Sequence, residues 1–296
     1  GATQGGVQDM GLARELIAAG QVPPPEAFTV EGMFSEHDLP LTGETSDSIL
    51  NLRGGLGYAP DLMGQSAGWL QVGMSSNIDP ETFERPSLSV IACVDISGSM
   101  GWNYNTENQE YPTPGAMARL LLNRIVAQLN GDDRVAIVTY GSDVATLLSP
   151  VAANSPAVPA AIEALTAGGV TNMEAGLTRA FALAQIEVAA SANNVRVLLF
   201  TDIQPNVGAT SGETFRNMAS EAAQADIGLS VYGLGVGMRQ EVMNVISDLR
   251  GGNAYSLFDA NDVDELVEMN WPWMMVPIAH ELTMEITAPS GIIVDS

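Results

Sequence analysis

The clearest pattern in the chain begins at Leu88. The runs Leu88–Asp95, Val195–Asp202 and Ile227–Gly235 are apolar nearly throughout. Strands read this way when both faces are covered, as in a parallel sheet packed between helices. Further strands are expected at Arg134–Tyr140, Ala145–Pro150 and Ala254–Phe258. Between the strands come segments with helical spacing: Pro114–Leu129, Ala157–Leu165, Met173–Ala189, Gly212–Ala225, Gln240–Leu249 and Val263–Glu268. Only Gly141-Ser142-Asp143-Val144 separates the Arg134 run from the Ala145 run, which is too short for a parallel crossover. The expected fold class is therefore α/β: a doubly wound, mostly parallel six-strand sheet with one antiparallel edge strand and helices on both faces.

The flanks are less regular. Residues 1–25 open glycine-rich, pass a short helical stretch at 9–19 and end in Pro23-Pro24-Pro25, the pattern of an N-terminal arm. Residues 26–87 hold strand-like pieces, Phe28–Phe34 and Gly68–Met74, among glycine, proline and acidic stretches. The α/β unit spans 88–270. From 271 to 296 a linker, Trp271-Pro272-Trp273, leads into an alternating run, His280–Thr287. That run is expected to be a strand pairing with 26–87 to form a small β module, with further chain following Ser296.

Composition narrows the function classes. The chain has 296 residues, 35 acids and 11 bases, for a net charge of −24. All the bases are arginine, so lysine chemistry is excluded. A field of this sign repels phosphate backbones and attracts cations, so no nucleic acid partner is expected. No apolar stretch approaches the roughly 18 residues of a membrane span, so this segment is not expected to insert in a membrane directly. Cys93, the one cysteine, lies inside an apolar run and reads as a small buried hydrophobe.

The chemistry lies at the strand ends. Asp95, Ser97 and Ser99 follow the first apolar run at alternate positions, a carboxylate and two hydroxyls. In open α/β sheets ligands gather at the carboxyl ends of the strands. The same edge receives Gly168-Gly169-Val170-Thr171-Asn172 and Phe200-Thr201-Asp202. Two carboxylates and three hydroxyls then converge, a hard-oxygen donor set suited to a small divalent cation.

These residues resemble the metal-ion-dependent adhesion site of the von Willebrand factor A domain family, in its bacterial-type members. The matches are Asp95, Ser97, Ser99, Thr171 and Asp202, and the resemblance covers about 88–270. It departs at Val170, at Ile203 after the aspartate, and in an insert, Gly101–Thr113, between the first loop and its helix. The resemblance implies that Ser97, Ser99 and Thr171 contact the metal, while Asp95 and Asp202 act partly through water. It implies Mg²⁺, with Mn²⁺ or Ca²⁺ as alternatives, and a coordination position left for a carboxylate of a protein partner. Trp102, Tyr104, Glu107 and Tyr111 in the insert are expected to form a rim touching that partner, aromatic residues being favoured at interfaces.

No enzymatic activity is expected. Where a phosphoaspartate site would have a second carboxylate, this chain has Ser97. The histidines, His37 and His280, lie outside the α/β region and offer no base to a serine nucleophile. The Gly-x-x-x-x-Gly-Lys phosphate loop is absent. The expected function is a metal-dependent protein-binding module, extracellular, at the cell surface or periplasmic. The alternatives are a structural or assembly subunit, in which the metal only steadies the domain, and an intracellular partner of a nucleotide-driven machine.

Overall fold

The computed structural model describes residues 10–35, 41–44, 46–60, 63–79, 82–104, 110–190, 194–202, 205–235, 244, 250–271, 274–279, 282–288 and 290. A hairpin, β1 (Leu50–Pro60) and β2 (Ser66–Ser76), stands apart from a second sheet. That sheet is built from β3 (Leu88–Asp95), β4 (Arg134–Tyr140), β5 (Val144–Ala152), β6 (Asn194–Thr201), β7 (Ile227–Leu234) and β8 (Gly252–Leu257). Its order is β5-β4-β3-β6-β7-β8. All neighbours are parallel except β4 and β5, which pair antiparallel as the short Gly141–Asp143 connection requires.

Among the described residues the α-helices of more than one residue are α1 (Gly11–Ala18), α2 (Val30–Ser35), α3 (Pro114–Ala127), α4 (Ala157–Glu163), α5 (Met173–Ala190), α6 (Gly212–Gln224) and α7 (Ala260–Asn270). All but α2 divide between the two faces. One core layer joins Leu121, Leu122 and Ile125 of α3, Val158 and Ile162 of α4 and Val263 and Leu266 of α7 to Val90, Val94, Leu198 and Phe200. The other joins Leu177, Ala180 and Ala184 of α5, Phe215 and Ala219 of α6 and Leu12 of α1 to Ile91, Cys93, Val197 and Leu199. Alternate residues of β3 and β6 thus enter opposite layers, which is why both strands are apolar through most of their length.

Sequence order reverses between β3 and β6, one strand leading outward through β4 and the other through β7. This is the switch point of a doubly wound sheet, where the loops after the two central strands diverge and leave a crevice. Asp95 ends β3 and Asp202 follows β6. The sheet therefore brings both acids to that crevice.

Several flanking expectations are corrected. Phe28–Phe34 is not a strand: Val30–Ser35 is helical, because Thr29 Oγ1 accepts the Gly32 N–H (3.0 Å) and starts a turn. Gly68–Met74 lies within β2, but its partner β1, rich in glycine, was not foreseen. Residues 282–287 form no strand, and among the described residues β1 pairs only with β2 and, at one bridge, Thr42. The alternation there lacks the partner edge that would fix it as a strand. The Gln240–Leu249 helix, His37 and His280 fall outside the described residues, apart from Asn244. Helix α7 begins at Ala260, earlier than expected, since Asp259 caps it through Asn261 N (2.7 Å) and Asp262 N (3.0 Å).

Candidate metal centre

The strand-end loops are tied into one unit by backbone hydrogen bonds. In the first loop, Gly98 N donates to Gly169 O (2.9 Å), and Ile96 O accepts Gly168 N (2.6 Å). The second loop is tied to the third: Asn206 N and Val207 N donate to Thr171 O (3.2 and 3.1 Å), and Thr171 N donates back to Asn206 Oδ1 (3.0 Å). Gly169 makes this possible with φ +94, a left-handed conformation that side chains rarely adopt. Val170 N then donates to Ser142 Oγ (3.2 Å), which braces the second loop against the β4–β5 turn. Asn172 Oδ1 accepts Ala175 N (3.1 Å) and starts α5 directly after Thr171.

Within this frame Asp95, Ser97, Thr171 and Asp202 are each no more than 3% exposed, and Ser99 is half-buried. Asp95 Oδ1 accepts Ser97 N (2.8 Å), the turn that aims the serines, and Asp95 Oδ2 accepts Thr201 Oγ1 (3.0 Å). Ser97 Oγ and Ser99 Oγ lie 3.2 Å apart. Burial pushes the Asp95 carboxyl up from its ordinary 3.8 to about 6, and the Asp202 charge adds to the rise. The hydrogen bonds from Ser97 and Thr201 only partly offset it. Among the described residues no basic side chain pairs with Asp95.

Two buried acids raising each other's cost, with three hydroxyls on the same linked loops, fit a hard divalent cation by donor chemistry. No group of three or more His, Cys, Asp and Glu is arranged to hold a metal ion among the described residues, so at this site neutral hydroxyls must supply much of any coordination. The first loop also borders a cavity of about 390 Å³, lined by Asp95, Met100, Thr113, Arg119, Leu165 and Ala167 among others.

The five expected donors are all placed on these linked loops. The expected rim is not uniform. Trp102 is 69% exposed. Tyr104, by contrast, is turned inward: its hydroxyl donates to Phe258 O (2.9 Å), and its ring covers Gly235. It anchors the insert to the sheet, so placing it on a free rim is corrected. Tyr111 is half-buried against the α3–α7 core layer. Glu107 lies outside the described residues. Sequence reading missed Thr201 and Asn206. Thr201 carried a signal, being a hydroxyl at the end of an apolar strand; Asn206 carried none beyond its place after Pro205.

Residues 90–204 match the family model described as von Willebrand factor type A domain. The uncharacterized protein YfbK of Escherichia coli (strain K12) is 28% identical over 283 residues, 92% of this chain and 47% of that protein. The chain thus spans about half the length of this curated relative. Among solved structures, the conserved hypothetical protein BatB from Bacteroides thetaiotaomicron has a TM-score of 0.46 at 19% identity, over 62% of this chain and 96% of that one. A von Willebrand factor type A protein from Catenulispora acidiphila has 0.49 at 15%, over 76% and 46%. The pilus adhesin SpaC from Lactobacillus rhamnosus GG has 0.48 at 14%, over 77% and 33%.

Proposed function

We propose that this protein is a non-enzymatic binding module that engages a protein partner through a divalent cation, Mg²⁺ by preference, at the β3–β6 crevice. The observation that carries the reading is that the loops bearing Asp95, Ser97, Ser99, Thr171 and Asp202 are tied together by hydrogen bonds, two of these residues being buried acids whose charges oppose each other. The match of 90–204 to the von Willebrand factor A family model supports an interaction role.

In this reading the two carboxylates balance the ion's charge. The hydroxyls of Ser97, Ser99 and Thr171 add neutral ligands that leave the ion an appetite for an anionic one. The cation would supply electrostatic attraction for a partner's carboxylate; the chain's residues hold and orient it. An exported or surface location fits an acidic, cation-attracting protein. Among the described residues no helix is long and apolar enough to cross a membrane.

The burial of four of the five donors also favours a second reading, in which the ion only braces the loops of an assembly subunit. Thermal unfolding of the full chain with Mg²⁺, Mn²⁺, Ca²⁺ or chelator tests both. A saturable rise in Tm, reversed by chelator, is expected. No rise with any ion overturns the metal centre. A rise without metal-dependent binding of an acidic peptide leaves the bracing role as the correct one.

A further inference from the structure

At the opposite end of the sheet lies a cation that the metal centre does not use. Arg196 stands near the start of β6, six residues before Asp202, roughly 20 Å away along the strand. It is 3% exposed. Its guanidinium lies over Gly228, its partner on β7; a Cβ there would come within 2.8 Å of Cζ and Nη2. Nε donates to Met275 O (3.1 Å), and Nη1 donates to Ser230 Oγ (3.0 Å) and Gly251 O (3.1 Å). All three acceptors are neutral. Among the described residues no carboxylate pairs with Arg196, and Nη2 makes no hydrogen bond.

A buried charge without a counter-charge is costly, and neutral dipoles answer only part of the guanidinium's five N–H groups. Burial accordingly pushes Arg196 below its ordinary range. In a chain of 35 acids the missing partner is conspicuous. Beside Arg196 opens a cavity of about 290 Å³, bordered also by Asn194, Gly228, Arg250 and Pro277. A second arginine thus stands at the cavity wall. Arg250 there holds Asp226, the acid of the same wall, at 3.2 Å and so offsets its charge.

We propose that this cavity binds a small free oxyanion of the phosphate or carboxylate type, held by the Nη2 edge of Arg196 and by Arg250. The two N–H groups left on Nη2 are charge-assisted donors, each able to hold one oxygen of an anion. The cavity's size and the depth of Arg196 select a small ion over a protein side chain. Gly228 is the residue that leaves room for the guanidinium to lie at the cavity. The site shares no residue with the metal centre and stands or falls separately from it.

The test is calorimetric titration of the full chain with inorganic phosphate and with acetate, in chelator and at ionic strength matched with NaCl. Saturable 1:1 binding of at least one anion is expected, the stronger of the two identifying the class. Arg250→Gln should weaken it about tenfold, the loss of one charge-assisted contact. Arg196→Lys, which keeps the charge but removes the Nη2 donors, should weaken it further. Absence of saturable binding by both anions overturns the proposal, as does unchanged affinity in a folded Arg196→Lys. If that variant does not fold, unchanged affinity in Arg250→Gln overturns it.

Discussion

Strand β3 has a buried aspartate at each end, and the two are held in opposite ways. Asp133, just before β4, sits at the start of β3; Asp95 closes it. Each is 1% exposed. Asp133 accepts Leu88 N (2.8 Å), Asn130 N (2.6 Å) and Arg85 Nη1 (3.0 Å), with Arg85 itself 5.5 Å from the centre of the Trp271 ring. Burial alone would raise its pKa, but the Arg85 ion pair and the two backbone donors outweigh it, and the carboxyl ends below its ordinary value. Asp95 is as little exposed but set deeper, with one backbone donor, one hydroxyl donor, no ion pair among the described residues and a second acid nearby, and it ends at about 6. The same side chain is completed from within the chain in one place and left short of positive charge in the other. The first arrangement holds strands together; the second has a use for a cation from outside.

The largest effect should come from breaking the completed site. Asp133→Ala leaves Arg85 buried without its partner and removes acceptors from Leu88 N and Asn130 N. A loss of about 3–5 kcal/mol in urea unfolding is expected, as for other buried pairs with one partner removed. The metal-induced rise in Tm should persist in whatever fraction folds. A loss below about 1 kcal/mol would mean that the two aspartates do not differ as argued.

Asp95 should behave in the reverse sense. A carboxyl whose folded pKa lies above its unfolded one contributes stability below the unfolded value, about 4, and that contribution is lost as pH rises through about 6. At neutral pH without metal, the charged form therefore costs up to about 3 kcal/mol. Asp95→Asn, which can still accept Ser97 N, is expected to be more stable than the parent in chelator at pH 7 or above. The gap should close toward pH 4, and the variant should lose the rise in Tm with Mg²⁺. Chemical unfolding across pH 4–8, with chelator and with Mg²⁺, checks both signs. A less stable Asn variant in chelator would show that the Asp95 charge is satisfied within the chain after all.

How much of this was legible depended on whether the determinants were local. The apolar runs of β3, β6 and β7 were readable because double-sided burial writes itself into most positions, and the Asp95–Ser97–Ser99 loop because its donors are close in sequence. The alternation of strands and helices placed Thr171 and Asp202 at the same carboxyl edge, while the strand order and its switch point became visible only in the structure. What was hidden depends on pairings that cross the chain. Tyr104 reads as a surface aromatic until its hydroxyl meets Phe258 O, 154 positions away. Thr29 carried a helix start that the β-branched and aromatic residues around it masked. Asn206 gave no sign of its tie to Thr171, 35 positions earlier.

That tie supplies the smallest and finest test. Among the described residues Asn206 makes no hydrogen bond to an acid, but its side chain accepts the Thr171 N–H while its own N–H donates to Thr171 O. It is a positioning residue: it fixes the loop that presents the Thr171 hydroxyl. Asn206→Ala should cost about 1 kcal/mol in stability, the usual worth of one such hydrogen bond. It should also weaken Mg²⁺ binding by about tenfold, as loss of outer-shell support does in metal sites. Asn206→Asp retains an acceptor for Thr171 N and should restore affinity. Thr113→Ala is the control, since it removes the cap that accepts Ala116 N (3.1 Å) at the start of α3 and costs a similar amount of stability. If both alanine variants weaken Mg²⁺ equally, the effect is general loosening. If only Asn206→Ala does so and Asn206→Asp reverses it, the third loop acts on the ion through Thr171. The contrast between the two ends of β3 then extends one layer outward, to residues that shape the centre without belonging to it.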